Sequence, residues 1–74
     1  MTVRLRLQGT LRQKYQGWAG PLDTEAATVG QLLDELHIPR GEAAMLFLND
    51  RRAAPETALR EGDEIRVFPM LGGG

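Results

Sequence analysis

One helix with one apolar stripe sets the architecture available to this chain. Val29, Leu32, Leu33 and Leu36 recur at i, i+3, i+4 and i+7, the spacing that lines apolar side chains along one face of a helix. The pattern predicts a helix from about Val29 to His37. Thr28 is placed to cap its start, and Gln31 stands at the third helical position, as a capping box requires. Asp34 and Glu35 fall on the solvent side, and Pro39 and Gly41 end the run. A single stripe covers a single face of a sheet, so the expected fold is α+β in two layers. His37 falls at the helix C-terminus, where its ring suits the dipole. As the one histidine, with no cysteine or carboxylate cluster beside it, it reads as structural.

The strands that the helix must cover are written in period 2. Val3 to Gln8 alternates, with Val3, Leu5 and Leu7 facing one way and Arg4, Arg6 and Gln8 the other. Thr10 to Tyr15 has room for one helical turn or an irregular loop. A short strand over Leu22 to Glu25 would make a hairpin with the first, and Trp18 before it reads as a cap over the core edge rather than a ligand platform. Ala44 to Asn49 reads as a buried strand, Asn49-Asp50 as a turn and Arg51 to Ala53 as its return. A one-turn helix is expected within Pro55 to Leu59, and a tight turn at Glu61-Gly62-Asp63. Glu64 to Phe68 alternates again. With Leu46, Leu48, Ile65 and Val67 inward, Phe47 and Phe68 point outward among Arg4, Arg6 and Arg66. Exposed aromatics framed by arginine match the composition of protein interfaces. A register shifted by one residue would instead place Phe47 in the core. In the outward register, truncating Phe68 should harm docking more than folding.

Charge and cysteine content narrow the function. Nine basic against ten acidic side chains leave a net charge of −1, which argues against a general nucleic-acid binder. No apolar run approaches the ~20 residues of a membrane span and no leader pattern precedes the first strand, so the expected location is cytoplasmic, with neither nucleic acid nor membrane as partner. Without cysteine there is no disulfide framework and no thiolate zinc site.

The chain is expected to divide into a domain over residues 1–68 and a flexible tail over 69–74. That tail, Pro69-Met70-Leu71-Gly72-Gly73-Gly74, ends in bare backbone. Glycine lacks a Cβ and threads through narrow channels without steric cost. The Gly74 α-carboxylate, with an ordinary pKa of about 3.3–3.7, is ionised near neutrality and a poor electrophile. To accept a nucleophile it must be activated, most simply as an acyl-adenylate made from ATP. The chain has no phosphate loop and no nucleophile–base pair for that step, so another protein must supply it. If the chain carried sulfur, then with no cysteine to hold a persulfide the Gly74 carboxylate would be the one attachment point. The bland alternative is a disordered appendage without function.

The Asn49-Asp50 turn, the run Leu59-Arg60-Glu61-Gly62-Asp63-Glu64-Ile65 and the passage from Phe68-Pro69 into terminal glycines resemble the ubiquitin-like sulfur carriers. These are the small subunit of molybdopterin synthase and the thiamine sulfur carrier, and the likeness covers nearly the whole chain. The resemblance implies a β-grasp fold, a mixed sheet of four to five strands packed on one main helix. It implies that Gly74 is adenylated by an enzyme of the ubiquitin-activating type and converted to a thiocarboxylate. Gly73 matches the other half of the terminal pair, and Gly72 stands where the family often has another small residue. Val67-Phe68-Pro69 looks more like the molybdopterin branch, which implies docking to a large synthase subunit. Met70-Leu71-Gly72 departs from that branch, leaving thiamine or cysteine synthesis and protein modification as alternatives. Phe68, Phe47, Arg66, Pro69, Met70, Leu71 and Gly72 are the expected partner contacts. No cofactor is expected on the chain itself, and it is not expected to be an enzyme alone. The single lysine, Lys14, limits branched conjugation of the chain to itself.

Overall fold

In the computed structural model, residues 1–15 and 19–69 are described; Trp18 and the tail from Met70 onward, both assigned roles above, lie outside them. The strict alternation of the first strand survives intact. In β1 (Thr2–Leu7) the side chains of Val3, Leu5 and Leu7 are buried while Thr2, Arg4 and Arg6 are exposed. A turn of helix, α1 (Thr10–Lys14), buries Leu11, and β2 (Ala19–Asp23) returns antiparallel to β1. After α2 (Val29–Glu35) and a 3-10 turn at Arg40–Glu42 come β3 (Met45–Leu48), β4 (Arg51–Ala53) and β5 (Glu64–Phe68). The five strands form one mixed sheet in the order β2-β1-β5-β3-β4, in which β1 and β5 are parallel and the other neighbours antiparallel. This is the β-grasp arrangement of an α+β domain. Val3, Leu5, Leu7, Leu46, Ile65 and Val67 from the sheet meet Val29, Leu32 and Leu33 from α2 in one core, each fully buried side chain contributing roughly 1.5–3 kcal/mol. Leu48, expected inward, packs against this core from the sheet's end and is half-buried.

The start of α2 is held both by its own cap and by groups distant in sequence. The Thr28 hydroxyl accepts the Gln31 N–H at 3.2 Å, and the Gln31 side chain reaches back to the Ala27 N–H at 2.9 Å. Two further N–H groups of the first turn need acceptors outside the helix. Val29 donates to the Thr57 carbonyl at 3.0 Å and Gly30 to the Pro55 carbonyl at 2.7 Å. This corrects the expected one-turn helix at Pro55–Leu59. Its carbonyls are committed to α2, and Ala58 bridges Thr28 in an antiparallel pair.

The helix also stops two residues before His37. His37 adopts a left-handed conformation, φ 59°, donating to the Asp34 carbonyl at 3.1 Å, while Ile38 donates to the Leu33 carbonyl at 2.9 Å. That pair of bonds is a Schellman motif. It brings Ile38 into the core beside Leu33, a contact that helical periodicity does not reveal.

Candidate functional site

The outer face of the sheet, opposite α2, is ordered by register. Arg6 on β1 stands beside Arg66 on β5, Arg66 beside Phe47 on β3, and Phe47 beside Arg52 on β4. This row crosses four strands. One step along, Phe68 stands beside Met45; one step back, Arg4 stands beside Glu64. Period-2 side-chain alternation makes these residues share a face, so Phe47 and Phe68 point outward and the one-residue shift does not occur.

They are not the freely exposed rings that alternation alone suggests. The two rings meet edge to face, centroids 5.5 Å apart at 76°, and both are half-buried. An aromatic pair satisfies part of its burial internally, which corrects the picture of two open phenylalanines.

Arg6 and Arg66 lie directly opposite each other, an unfavourable placement for like charges. Glu64 lies between them, its carboxylate 3.5 Å from Arg6 Nε and 3.4 Å from Arg66 Nη2, while Asp50 lies 3.5 Å from Arg66 Nη1. Each such partly exposed pair is worth about 0–1 kcal/mol. Arg66 Nε is itself buried and finds no acceptor among the described residues. Asp50 owes its place to the β3–β4 hairpin, in which Asn49 (φ 51°) and Asp50 (φ 67°) both take positive φ, the geometry of a two-residue type I′ turn. The Asn49 side chain then donates to Asp63 at 2.8 Å and accepts the Glu64 N–H at 2.9 Å. The two turns quoted for the family resemblance are therefore joined, and they set the start of β5.

At the other end of β5 the chain leaves the sheet. The Val67 carbonyl accepts from Gln8 at 2.9 Å and the Phe68 carbonyl from Ala44 at 3.0 Å. Pro69 follows, and with no N–H to donate it ends the ladder. It passes over Gly9, where an added Cβ would lie 3.0 Å from Pro69 Cγ and whose φ of 57° disfavours other residues. Beside the exit is a shallow cleft of about 280 Å³ lined by Thr10, Leu11, Lys14, Gly41, Glu42 and Pro69. Both Glu42 oxygens lie 2.7 Å from Lys14 Nζ, and the Tyr15 hydroxyl donates to Glu42 Oε1 at 3.3 Å. The Glu42 carboxylate holds the Lys14 pKa above its ordinary value.

Of the expected contacts, Phe47, Arg66 and Phe68 share the outer face and Pro69 stands at the exit. Met70, Leu71, Gly72, Gly73 and Gly74 lie outside the described residues. Met45 and Arg52 belong to the same face and were missed, although the alternation that placed Phe47 outward also places Met45. Among the described residues no three His, Asp or Glu side chains are grouped as a metal site would need. None of the helices there is long and apolar enough to cross a membrane.

The family model described as the ThiS family matches residues 5–74. No curated protein matches the sequence. Among solved structures, the chain is 25% identical to small archaeal modifier protein 1 of Haloferax volcanii, covering 95% of this chain and 98% of that one, with a TM-score of 0.77. It is 20% identical to a putative molybdopterin converting factor subunit 1 from Pyrococcus furiosus (96% and 99% covered, TM-score 0.74). It is 24% identical to a chain in the complex of subunits 1 and 2 of the molybdopterin-converting factor from Helicobacter pylori (100% and 100% covered, TM-score 0.61). At that identity the last two establish a shared fold.

Proposed function

The chain belongs to the ThiS family of ubiquitin-like sulfur carriers, and from that premise we propose that it carries sulfur as a thiocarboxylate on Gly74. The domain is residues 1–68 and the tail residues 69–74. A carboxylate oxygen of Gly74 attacks the α-phosphate of ATP on an adenylating enzyme of the ubiquitin-activating type, and pyrophosphate leaves. Hydrosulfide released from a sulfur donor then displaces AMP, leaving a thiocarboxylate whose sulfur is the nucleophile toward the eventual acceptor. Gly73 and Gly72 keep the backbone thin enough to enter both active sites, while Met70 and Leu71 contact their entrances. The chain is a carrier subunit of a cytoplasmic sulfur-transferring complex and not an enzyme by itself.

The observation that carries this reading is the hand-over at Phe68-Pro69. A central strand ends in an outward aromatic on the face opposite α2, and the tail that leads to the three glycines begins one residue later. A partner gripping Phe47, Arg66 and Phe68 fixes where the carboxylate lands, and such positioning can contribute several kcal/mol to a reaction. The acceptor favoured is the large subunit of molybdopterin synthase, in keeping with the two-subunit complex from Helicobacter pylori. Protein modification is the second reading, favoured by the likeness to the archaeal modifier protein.

The test is intact mass after incubation with ATP, the adenylating enzyme and a sulfur donor. The expected product is heavier by the difference between sulfur and oxygen, with the label in the peptide containing Gly74. Labelled sulfur in an internal peptide would refute the assignment.

A further inference from the structure

The root of the tail stands beside the only lysine of the chain. Lys14, the last residue of α1, lines the same cleft of about 280 Å³ as Pro69. Five residues, Met70 to Gly74, follow Pro69 in the sequence, a length that spans at most ~17 Å fully extended. The Lys14 amine therefore lies within reach of the Gly74 carbonyl carbon. The amine at Met1 does not. It donates to the Thr24 carbonyl at 3.1 Å and stands where β1 begins, whereas Leu7 at the far end of that strand is level with Val67. Six strand residues at ~3.3 Å each already put it ~20 Å from the exit. Lys14 Nζ is not idle. Both Glu42 oxygens lie 2.7 Å from it, and the Tyr15 hydroxyl donates to the same carboxylate at 3.3 Å. Among the described residues Glu42 and Tyr15 are the titratable groups beside Nζ, with the Tyr15 ring centroid 5.8 Å away.

Resting on the carrier reading, we propose that Lys14 is the site at which an activated Gly74 would acylate its own domain, and that the Glu42 carboxylate blocks this closure by engaging the amine. The reaction is a plain acyl transfer. The Lys14 nitrogen attacks the Gly74 carbonyl carbon, a C–N bond forms, the C–O bond to AMP breaks, and the proton released from nitrogen passes to solvent. The product is a lactam lighter than the free chain by one water. It has no carboxylate left to take up sulfur, so each closure removes a carrier. Proximity makes the side reaction competitive, because a short tether presents its end to a neighbouring group at an effective concentration on the order of millimolar. A separate acceptor meets the same carbonyl only at its own bulk concentration. What limits closure is the nitrogen lone pair, which the ammonium form lacks. Charge-assisted hydrogen bonds to both oxygens of Glu42 favour that form, and they hold the Lys14 pKa above its ordinary value.

The experiment uses the full chain with a thioester at Gly74, made by thiolysis of an intein fusion, so that no enzyme is needed and a thiolate leaves in place of AMP. Intact mass separates the lactam from the hydrolysed chain, which is heavier by one water, and peptide mapping locates the new bond. Glu42→Gln is expected to close about two- to fivefold faster than wild type at neutral pH and low salt. Glu42→Asp, which keeps the charge but withdraws it by one methylene, is expected to fall between. Lys14→Arg is expected to hydrolyse without closing. Salt at about 0.5 M, where screening shortens to a few ångströms, is expected to speed closure of the wild type and to leave Glu42→Gln unchanged. With one lysine in the chain, its titration is a single NMR signal, and its midpoint should fall in Glu42→Gln. Equal closure rates for wild type and Glu42→Gln, slower closure in Glu42→Gln, a bond formed at Met1 or no closure in any variant overturns the proposal. AMP transfer to Gly74 by the purified adenylating enzyme is measured separately on the wild type. Its failure refutes the carrier reading and leaves the thioester result standing, whereas normal AMP transfer with equal closure rates refutes the role of Glu42 alone.

Discussion

Truncating Phe68 separates its two roles, because each can be sized from its surroundings. In Phe68→Ala the domain loses the edge-to-face contact with Phe47, worth about 0.5–1.5 kcal/mol. It also loses the burial of most of one ring, roughly 1–2 kcal/mol, given that full burial is worth about 1.5–3 kcal/mol. Together these predict a destabilisation of about 2–3 kcal/mol. At about 4–8 °C per kcal/mol for a domain of this size, the melting temperature should fall by roughly 8–24 °C. The partner, by contrast, covers only the minority of the ring that remains open, about 0.5–1 kcal/mol, or a two- to fivefold loss of affinity at 1.4 kcal/mol per decade. The sequence alone suggests the opposite ranking, since an outward side chain should matter to docking before folding. The assay is urea unfolding and partner affinity on Phe68→Ala, Phe47→Ala and the double variant, with affinity measured well below the melting transition. A coupling energy near 1 kcal/mol in the unfolding cycle is expected for rings in contact. A loss of stability below about 0.5 kcal/mol would show that the pair does not pack as described, and unchanged affinity would remove Phe68 from the interface.

Other substitutions test separate parts of the argument. Gly73→Leu should abolish adenylation, because it widens the segment that has to thread; normal AMP transfer by this variant sinks the threading argument. His37→Gly should raise stability by about 0.5–1 kcal/mol, since a left-handed position costs most residues about 1–2 kcal/mol and glycine returns part of that gain as backbone entropy; a loss in urea unfolding would mean that the ring makes an unrecognised contact. Gly30→Val should destabilise by about 1–3 kcal/mol. Even a Cβ there would lie 3.0 Å from Pro55 Cβ and 2.8 Å from Arg40 Nη2, and Gly30 is tied to the Pro55 carbonyl at 2.7 Å and cannot retreat; equal stability would indicate that the Pro55 segment yields.

What could be read from the sequence was what short-range periodicity encodes. The inward residues of β1 and β5, the limits of β4 and β5, the Asn49-Asp50 turn and the Thr28 cap all follow from neighbours within a few positions. What could not be read depends on partners far along the chain. Nothing within Pro55–Leu59 announces that its carbonyls are claimed by α2 some twenty-five residues earlier, so local propensity favours a helix that the tertiary structure forbids. The left-handed turn at His37 is similarly hidden, because glycine is the usual signal for it and histidine is not. For the site, alternation gave the face of Phe47 and Phe68 but not their mutual contact, which depends on how β3 registers against β5. The need to activate Gly74 followed from what a free carboxylate can do, which requires no fold, and its conversion to a thiocarboxylate from the family resemblance.

The partial burial of the aromatic pair bears on how efficiently the outer face can be used. A freely rotating phenylalanine offers a partner more area, but fixing a mobile side chain on binding costs about 0.5–1.5 kcal/mol. Phe68 is already held by Phe47, and Arg66 by Glu64 and Asp50, so much of that ordering belongs to folding. The area forgone, about 1–2 kcal/mol per ring, overlaps in size with the entropy no longer lost. Affinity therefore changes little, whereas the position of Phe68 is set before the partner arrives. On the proposed carrier reading one atom at the end of the tail has to be placed, and a fixed root is the property that matters, since any positional spread at the root is carried to that atom. Stiffening the root by packing Phe68 against Phe47 narrows that spread without thickening the segment that has to thread.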